Sequence, residues 1–411
     1  MDQLTRFVQE HLNDDTARLL LNRDKWPEID IQLAVACIES RHKLRNKVQE
    51  WYANPELVFP VRLSAEQCSS TATGFYKAAL ASEIVPGARI ADLTGGLGVD
   101  TWYFSRTASE VHYHEMQETL CRAAIHNFKT LKAGNITVNN IVTSVDTIHD
   151  ILIASRPDIV YMDPARRDES GNKVFLIEDC TPDVLTLSPH IFSHCRHMLL
   201  KLSPMADITM LCSRLGKECR QVHVVGYRGE CKEILIWMDR EWNDEYTVHA
   251  VELPHDYPAC KQAEFSFKPS EEKGTKAAMW TGAGFQPGHT YLFEPGKALM
   301  KSGCFNLIAS RSGLSKLGTS THYYITSDPI HAGRLKEYGR VFCIMEMNPL
   351  DKRSIKSAGV AYPKAEVTAR NIPMDTETLR KKTGITSGDD AHIFGLKSDV
   401  LGNLLIITRK L

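Results

Sequence analysis

A chain of 411 residues exceeds the length at which one hydrophobic core usually divides, so several domains are expected. A hydrophobic share of 43% with 24% charged residues argues against disorder, and a formal net charge of −1 gives no global mark of a nucleic-acid-binding protein while leaving room for local basic surface. Eleven cysteines without a C-x-x-C pair point to reduced thiols in a cytoplasmic protein, and no apolar run is long enough for a signal peptide or a membrane span.

In chain order, Leu4, Phe7, Val8 and Leu12 recur at helical spacing, and a second amphipathic pattern runs from Ile31 to Tyr52 after Trp26-Pro27. Ser64-Ala65-Glu66-Gln67 has the form of a capping box and predicts a third helix running to about Ser82. These patterns define an N-terminal helical segment, 1–82. From Ala88 short apolar runs alternate with helical stretches: strands are expected at 89–92, 111–115, 136–142, 158–162 and 198–202, and helices at 99–106, 117–132, 146–155 and 183–195. Such alternation implies βαβ units, because parallel strands need crossover connections. The runs 220–227 and 232–238 then read as an antiparallel hairpin. The fold class is therefore α/β: a Rossmann-like doubly wound sheet over 83–246 ending in an antiparallel hairpin, followed by small α+β domains over 247–319 and 320–411. In that tail 265–274 reads as a polar connection, 305–310, 323–325, 341–345 and 404–408 as strands, and 375–382 as a short helix.

Asp92-Leu93-Thr94-Gly95-Gly96-Leu97-Gly98-Val99-Asp100 follows an expected strand and opens an expected helix, the setting in which a glycine-rich turn lets backbone approach a ligand. Asp92 precedes the glycines and would repel a pyrophosphate. A carboxylate there suits the cationic amino-acid end of S-adenosylmethionine (AdoMet), directly or through water, better than the pyrophosphate of NAD. Glu115 closes the next strand, where nucleotide sites of this topology place an acid on ribose hydroxyls. Met116 either packs on adenine or, on the plainer reading, joins the core, and Asp146 either accepts from the adenine amino group or caps a helix. Thr94, Gly95, Gly96, Gly98 and Asp100 complete the expected cofactor loop.

The fourth strand ends in Asp163-Pro164-Ala165-Arg166-Arg167. Ligands of a doubly wound sheet gather at strand C-termini beside the topological switch, so this loop should face the same crevice as the glycine turn. Asp163 there can orient an acceptor nitrogen by hydrogen bonding, Pro164 fixes the chain direction, and Arg166 and Arg167 offer planar donors for substrate phosphate.

Together these residues resemble class I AdoMet-dependent methyltransferases: Asp92-x-Thr94-x-Gly96-x-Gly98 looks like their first motif, with Thr94 where a glycine is common, and Glu115 matches their ribose-binding acid. Asp163-Pro164 is similar to the Asp-Pro-Pro-aromatic motif of amino-directed nucleic-acid methyltransferases, except that Ala165-Arg166 replaces Pro-aromatic, so the ring that would stack on a base is missing. The Asp-Pro-Ala-Arg-Arg run, Glu66-Gln67-Cys68-Ser69-Ser70 and Arg370-Asn371-Ile372-Pro373 resemble more closely a bacterial family with a THUMP-like domain after the methyltransferase, and this resemblance spans nearly the whole chain. It implies a ferredoxin-like segment near 276–319, a THUMP-like domain over 320–411, AdoMet as cofactor and RNA (tRNA or rRNA) as partner. Lys352, Arg353, Lys356, Lys364 and Arg370 form a locally basic stretch, with Tyr362 available for stacking.

Other features are read plainly. His190, His194, Cys195 and His197 mark a helix end rather than a metal site, and Glu294-Pro295-Gly296-Lys297 is a turn opening a helix, not a phosphate loop. The expected function is direct methyl transfer from AdoMet, without metal or membrane. The rival readings are a non-catalytic RNA-binding protein on a degenerate cofactor fold and an NAD-dependent oxidoreductase.

Overall fold

The structure, a computed structural model, describes residues 3–165 and 177–411. Contacts divide the chain into two compact units, 1–222 with 232–245, and 223–231 with 246–411.

The first unit opens with helices α1 (Gln3–Glu10), α2 (Thr16–Leu21) and α3 (Ile31–Leu44). Asp15 and Asp30 accept from the first free amides of α2 and α3, and the three helices bury Phe7, Val8, Leu19, Ile31, Val35 and Ile38 together. The pattern from Ile31 to Tyr52 is divided, because α3 stops at Leu44 and α4 (Gln49–Ala53) starts anew. Buried Arg41 donates to the carbonyls of Tyr52, Asn54, Pro55 and Leu57, tying down the chain that leaves α4. The expected third helix is corrected: α5 (Arg62–Gln67) contains Ser64 in its interior, and α6 (Thr71–Ile84) is a separate helix. The capping box belongs to Ser70, whose hydroxyl accepts from the Thr73 amide at 3.2 Å while the Thr73 hydroxyl accepts from the Ser70 amide at 3.0 Å.

The sheet follows. Its parallel strands are β1 (Gly87–Asp92), β2 (Ala108–Glu115), β3 (Ile136–Asn140), β4 (Ile159–Met162) and β5 (His197–Leu202), in the order β3-β2-β1-β4-β5. Between them run α7 (Val99–Ser105), α8 (Glu118–Thr130), α9 (Val145–Ser155) and α10 (Val184–His194), with α11 (Ile208–Leu215) after β5. All four residues of β4 are buried, as expected where helices cover both faces of a parallel sheet. The strand order reverses between β1 and β4, and it is at the C-terminal ends of such strands that doubly wound sheets bind ligands. β6 (Cys219–Tyr227) and β7 (Glu230–Asp239) form the closing hairpin, and β7 lies antiparallel to β5 with Lys201 opposite Leu235. Their connection is the two residues Arg228 and Gly229, both at positive φ (54° and 76°), the geometry that two-residue hairpins favour.

In the second unit β8 (Thr247–Leu253) pairs antiparallel with β9 (Ala263–Phe267). A seven-stranded sheet is built from β10 (Thr290–Pro295), β11 (Ser315–Lys316), β12 (Tyr324–Thr326), β13 (Gly339–Pro349), β14 (Glu366–Arg370), β15 (His392–Ser398) and β16 (Gly402–Lys410), ordered β11-β12-β10-β13-β16-β15-β14. Alternation in β15 and β16 sends Phe394, Leu404 and Ile406 into one core and Ile393, Leu405 and Ile407 into another, the latter covered by helices Lys352–Ala361 and Thr376–Thr383. Two expectations are corrected here. The stretch 305–310 is not a strand but leads into a helix, Leu307–Arg311, because the Glu272 carboxylate accepts from the amides of Asn306 and Leu307. The supposed connection 265–274 holds the end of β9 and a helix, Pro269–Gly274. Among the described residues, no helix is long and apolar enough to cross a membrane.

Candidate functional site

β1 delivers Asp92 to the crevice end of the sheet, but the residue is only 1% exposed. Its Oδ1 accepts from the Thr94 amide at 3.1 Å and its Oδ2 from the Thr101 hydroxyl at 2.6 Å. Burial pushes its carboxyl up to about 7, against the pull of those two donors. Both oxygens accept bonds from within the protein, and the residue holds the turn into α7.

The glycines differ in what they do. A Cβ at Gly95 would stand 2.1 Å from the Tyr113 ring, and one at Gly98 would meet Phe128 at 2.7 Å with φ at +86°. These two let the loop press onto the sheet and α8. Gly96, at φ +54°, has the Thr94 carbonyl oxygen at 3.8 Å in the direction of a Cβ and is open on that side. The Tyr113 hydroxyl donates to the Gly96 carbonyl at 2.6 Å. Glu115, at the end of β2, accepts from the Gly96 amide at 2.9 Å and from the Gln117 amide at 2.8 Å. Glycine loop and strand-end acid thus meet. Met116 beside them is 63% exposed. Asp146 is exposed in the first turn of α9, and its alternative as N-cap is corrected: Ser144 holds that position, with the Thr147 hydroxyl accepting from the Ser144 amide at 3.0 Å.

On the other side of the switch, Thr94 links the two loops. Its hydroxyl accepts from the Asp163 amide at 2.7 Å, while the Leu93 amide donates to the Tyr161 carbonyl at 3.0 Å. Pro164 is buried, and Ala165 exchanges backbone hydrogen bonds with Thr181. Arg166 and Arg167 lie outside the described residues. The Asp163 carboxylate forms a short ion pair with Lys201 of β5 and keeps 37% side-chain exposure.

Asp100 turns away from the role expected of it. Its Oδ2 accepts from the hydroxyls of Ser69 (2.9 Å) and Tyr161 (2.7 Å), and Lys77 of α6 stands 3.3 Å from Oδ1 as an ion pair without hydrogen-bond geometry. Lys77, fully buried, donates to both oxygens of Glu233 at 2.8 and 3.0 Å and to Ser69 at 2.9 Å. Two lysines therefore face three carboxylates. Burial raises the Glu233 carboxyl; burial also works against an ionised Asp100, but Lys77 and Lys201 win and hold its carboxyl below the usual range. Burial would strip the Lys201 proton, yet Asp163, Asp100 and Glu233 together hold it above the ordinary ammonium range.

Ser69, Lys77, Tyr161, Lys201 and Glu233 escaped the sequence reading. The available signal was charge inside apolar runs: Lys201 in Met198-Leu199-Leu200-Lys201-Leu202 and Glu233 ahead of Ile234-Leu235-Ile236 must each find a partner once buried. Elsewhere, His149 and His194 approach to 3.0 Å, and among the described residues no group of three or more His, Cys, Asp or Glu is arranged to hold a metal ion. In the second unit Lys352, Arg353, Lys356, Lys364 and Arg370 are all exposed. Tyr362 is half-buried: it packs against the core below, and its hydroxyl donates to Glu346 at 2.8 Å.

Comparison with known proteins adds to this geometry. A model of a ferredoxin-like domain matches residues 291–332 and one described as THUMP domain-like matches 339–410. No curated protein matches the chain. Among solved structures the chain is similar to a candidate methyltransferase from Porphyromonas gingivalis W83, at 29% identity and a TM-score of 0.84 over 99% of this chain and 97% of that one. It also matches an rRNA methylase from Streptococcus thermophilus (11% identity, TM-score 0.30, 40% of this chain and 93% of that one). A candidate methyltransferase from Streptococcus mutans in complex with SAH matches at 13% identity and a TM-score of 0.30, over 40% of this chain and 95% of that one. The chain thus joins a class I methyltransferase fold to a ferredoxin-like and a THUMP-like domain at its C-terminus.

Proposed function

We propose that the chain is an AdoMet-dependent methyltransferase acting on RNA, with Asp163 orienting the acceptor. One observation carries the reading: Thr94 joins the loop held by Glu115 to the loop that carries Asp163, so a cofactor seat and an acceptor seat share one crevice at the strand-order reversal. The seat fits the cofactor, since the side of Gly96 is open and an acid stands at the end of β2. Backbone from Thr94 to Gly98 would take the amino-acid end, Glu115 the ribose hydroxyls, Met116 the adenine face and Asp146 its amino group. Asp92 and Asp100 act one step back, by shaping the turn and the wall beside it. AdoMet, when bound, supplies a methyl group on a positively charged sulfur; the protein's part is placement. RNA as substrate rests on the THUMP domain-like match and the exposed cations from Lys352 to Arg370, with Arg166 and Arg167 as further candidates for substrate phosphate.

The test is calorimetric titration with AdoMet and, in parallel, NADH, followed by transfer of tritiated methyl to RNA from cells lacking the gene, read by nucleoside mass spectrometry. AdoMet binding, no heat with NADH, and one labelled nucleoside are expected. Asp163→Ala should keep AdoMet affinity and lose transfer. Tight RNA binding without any AdoMet heat would replace this reading with a non-catalytic RNA-binding protein.

A further inference from the structure

Lys201 interrupts an apolar strand. Its β5 neighbours Leu199, Leu200 and Leu202 are buried, so an ammonium there is tolerated only where opposite charge offsets its lost hydration. Asp163, Asp100 and Glu233 supply that charge. The three carboxylates are not shared evenly, however. Lys77, entering from α6, takes both oxygens of Glu233 and stands against Asp100, and Ser69 and Tyr161 occupy the other oxygen of Asp100. Lys201 is left to bond Asp163.

That division fixes Asp163 at two points, its backbone amide on Thr94 at 2.7 Å and its carboxylate on Lys201. The side chain is nevertheless 37% exposed, so part of the carboxylate stays open to a partner. Held in its charged form by three carboxylates, Lys201 is unsuited to accept a proton, and its contribution is orientation. The loop has Arg166 at the motif position where a ring would otherwise steady an acceptor, which leaves the burden of alignment on Asp163.

We propose that Lys201 is a positioning residue for methyl transfer: it locks the Asp163 carboxylate in one orientation, and the N-terminal helical segment enables this by supplying Lys77 and Ser69, which satisfy the neighbouring carboxylates. The proposal rests on the methyltransferase reading above.

The test compares full-length wild type with Lys201→Met, Lys201→Arg, Asp163→Asn and the Lys201→Met/Asp163→Asn pair. Each is assayed for AdoMet affinity by calorimetry, for thermal midpoint, and for tritiated methyl transfer to RNA from cells lacking the gene. Lys201→Met should leave AdoMet affinity within about twofold and lower kcat about 100-fold, the scale of a misaligned reacting group, with little change in the apparent KM for RNA. Lys201→Arg, which keeps the charge, should recover about tenfold of that loss. In the Asp163→Asn background, Lys201→Met should cost little more, because its effect passes through Asp163. A stable Lys201→Met chain with wild-type kcat overturns the inference alone. So does an equal loss in both backgrounds, which would mark a role independent of Asp163. A wild type that binds no AdoMet removes the methyltransferase reading, and the inference with it.

Discussion

Asp92 carries a proton affinity that the unfolded chain does not share. Unfolded, its carboxyl ionises near the ordinary value of about 3.9; folded, burial holds the proton until about 7. Between those values the native state binds more protons than the unfolded state, so stability falls as pH rises through the window and the loss is complete above it. Asp92→Asn cannot ionise. The unfolding free energy of the variant minus that of wild type should therefore increase from about pH 4 to about pH 7 and then level off, as measured by urea denaturation. A difference independent of pH would mean that Asp92 is ionised in the native state throughout. Gly95 offers a steric counterpart. Its Cβ would fall within the Tyr113 ring, whose hydroxyl holds the Gly96 carbonyl, so Gly95→Ala should lower stability by about 1–3 kcal/mol and weaken AdoMet binding together. An unshifted melting temperature would show that the ring moves aside freely.

At the scale of elements, the joint between α6 and β7 is the buried Lys77–Glu233 pair. Removing one partner leaves an uncompensated charge, and Lys77→Met should cost about 3–5 kcal/mol in urea denaturation. Adding Glu233→Leu should return part of that loss, since only Asp100 is then left short of a cation, with Lys201 as its remaining one; a double variant no more stable than the single would place the cost in packing instead. Glu233 ahead of an apolar run announced that it needs a partner, but nothing local named Lys77 as that partner. The strands and helices of 83–246 were legible because each buries a periodic face, and the hairpin because 220–227 and 232–238 are β-rich runs on either side of a short turn. The α5–α6 break was not, since Ser64-Ala65-Glu66-Gln67 and Ser70 with Thr73 both offer plausible caps and only packing chooses between them. Residues 305–310 misled for a related reason: Phe305, Leu307 and Ile308 look like a strand, whereas the helix start is satisfied by Glu272, more than thirty residues away. The acids of the site were legible by position in the chain but not by direction. Asp92 and Asp100 fall where the motif places them, yet their hydrogen bonds run to Thr101, Ser69 and Tyr161, partners that no spacing rule supplies.

For the whole molecule, the division into units does not follow the chain. Residues 223–231, the tip of the β6–β7 hairpin, group with 246–411. Within that second unit the His223 ring stacks on His249 with centroids 4.5 Å apart and planes 6° from parallel. Gly226 lies so close to the Glu252 carboxylate that a Cβ would stand 2.3 Å from it. Val224 and Val225 between them are fully buried. A fragment ending at residue 245 looks complete in sequence, with β1 to β7 all present, but it removes β8, the sheet neighbour of β6, strips the tip of His249 and Glu252 and leaves an apolar strand end open to pairing with other chains. That fragment should therefore associate or melt below the full chain, as judged by light scattering after size-exclusion chromatography and by thermal denaturation. A monomeric fragment whose melting transition matches the first transition of the full-length protein would show instead that the tip contributes nothing to the stability of the sheet that carries it.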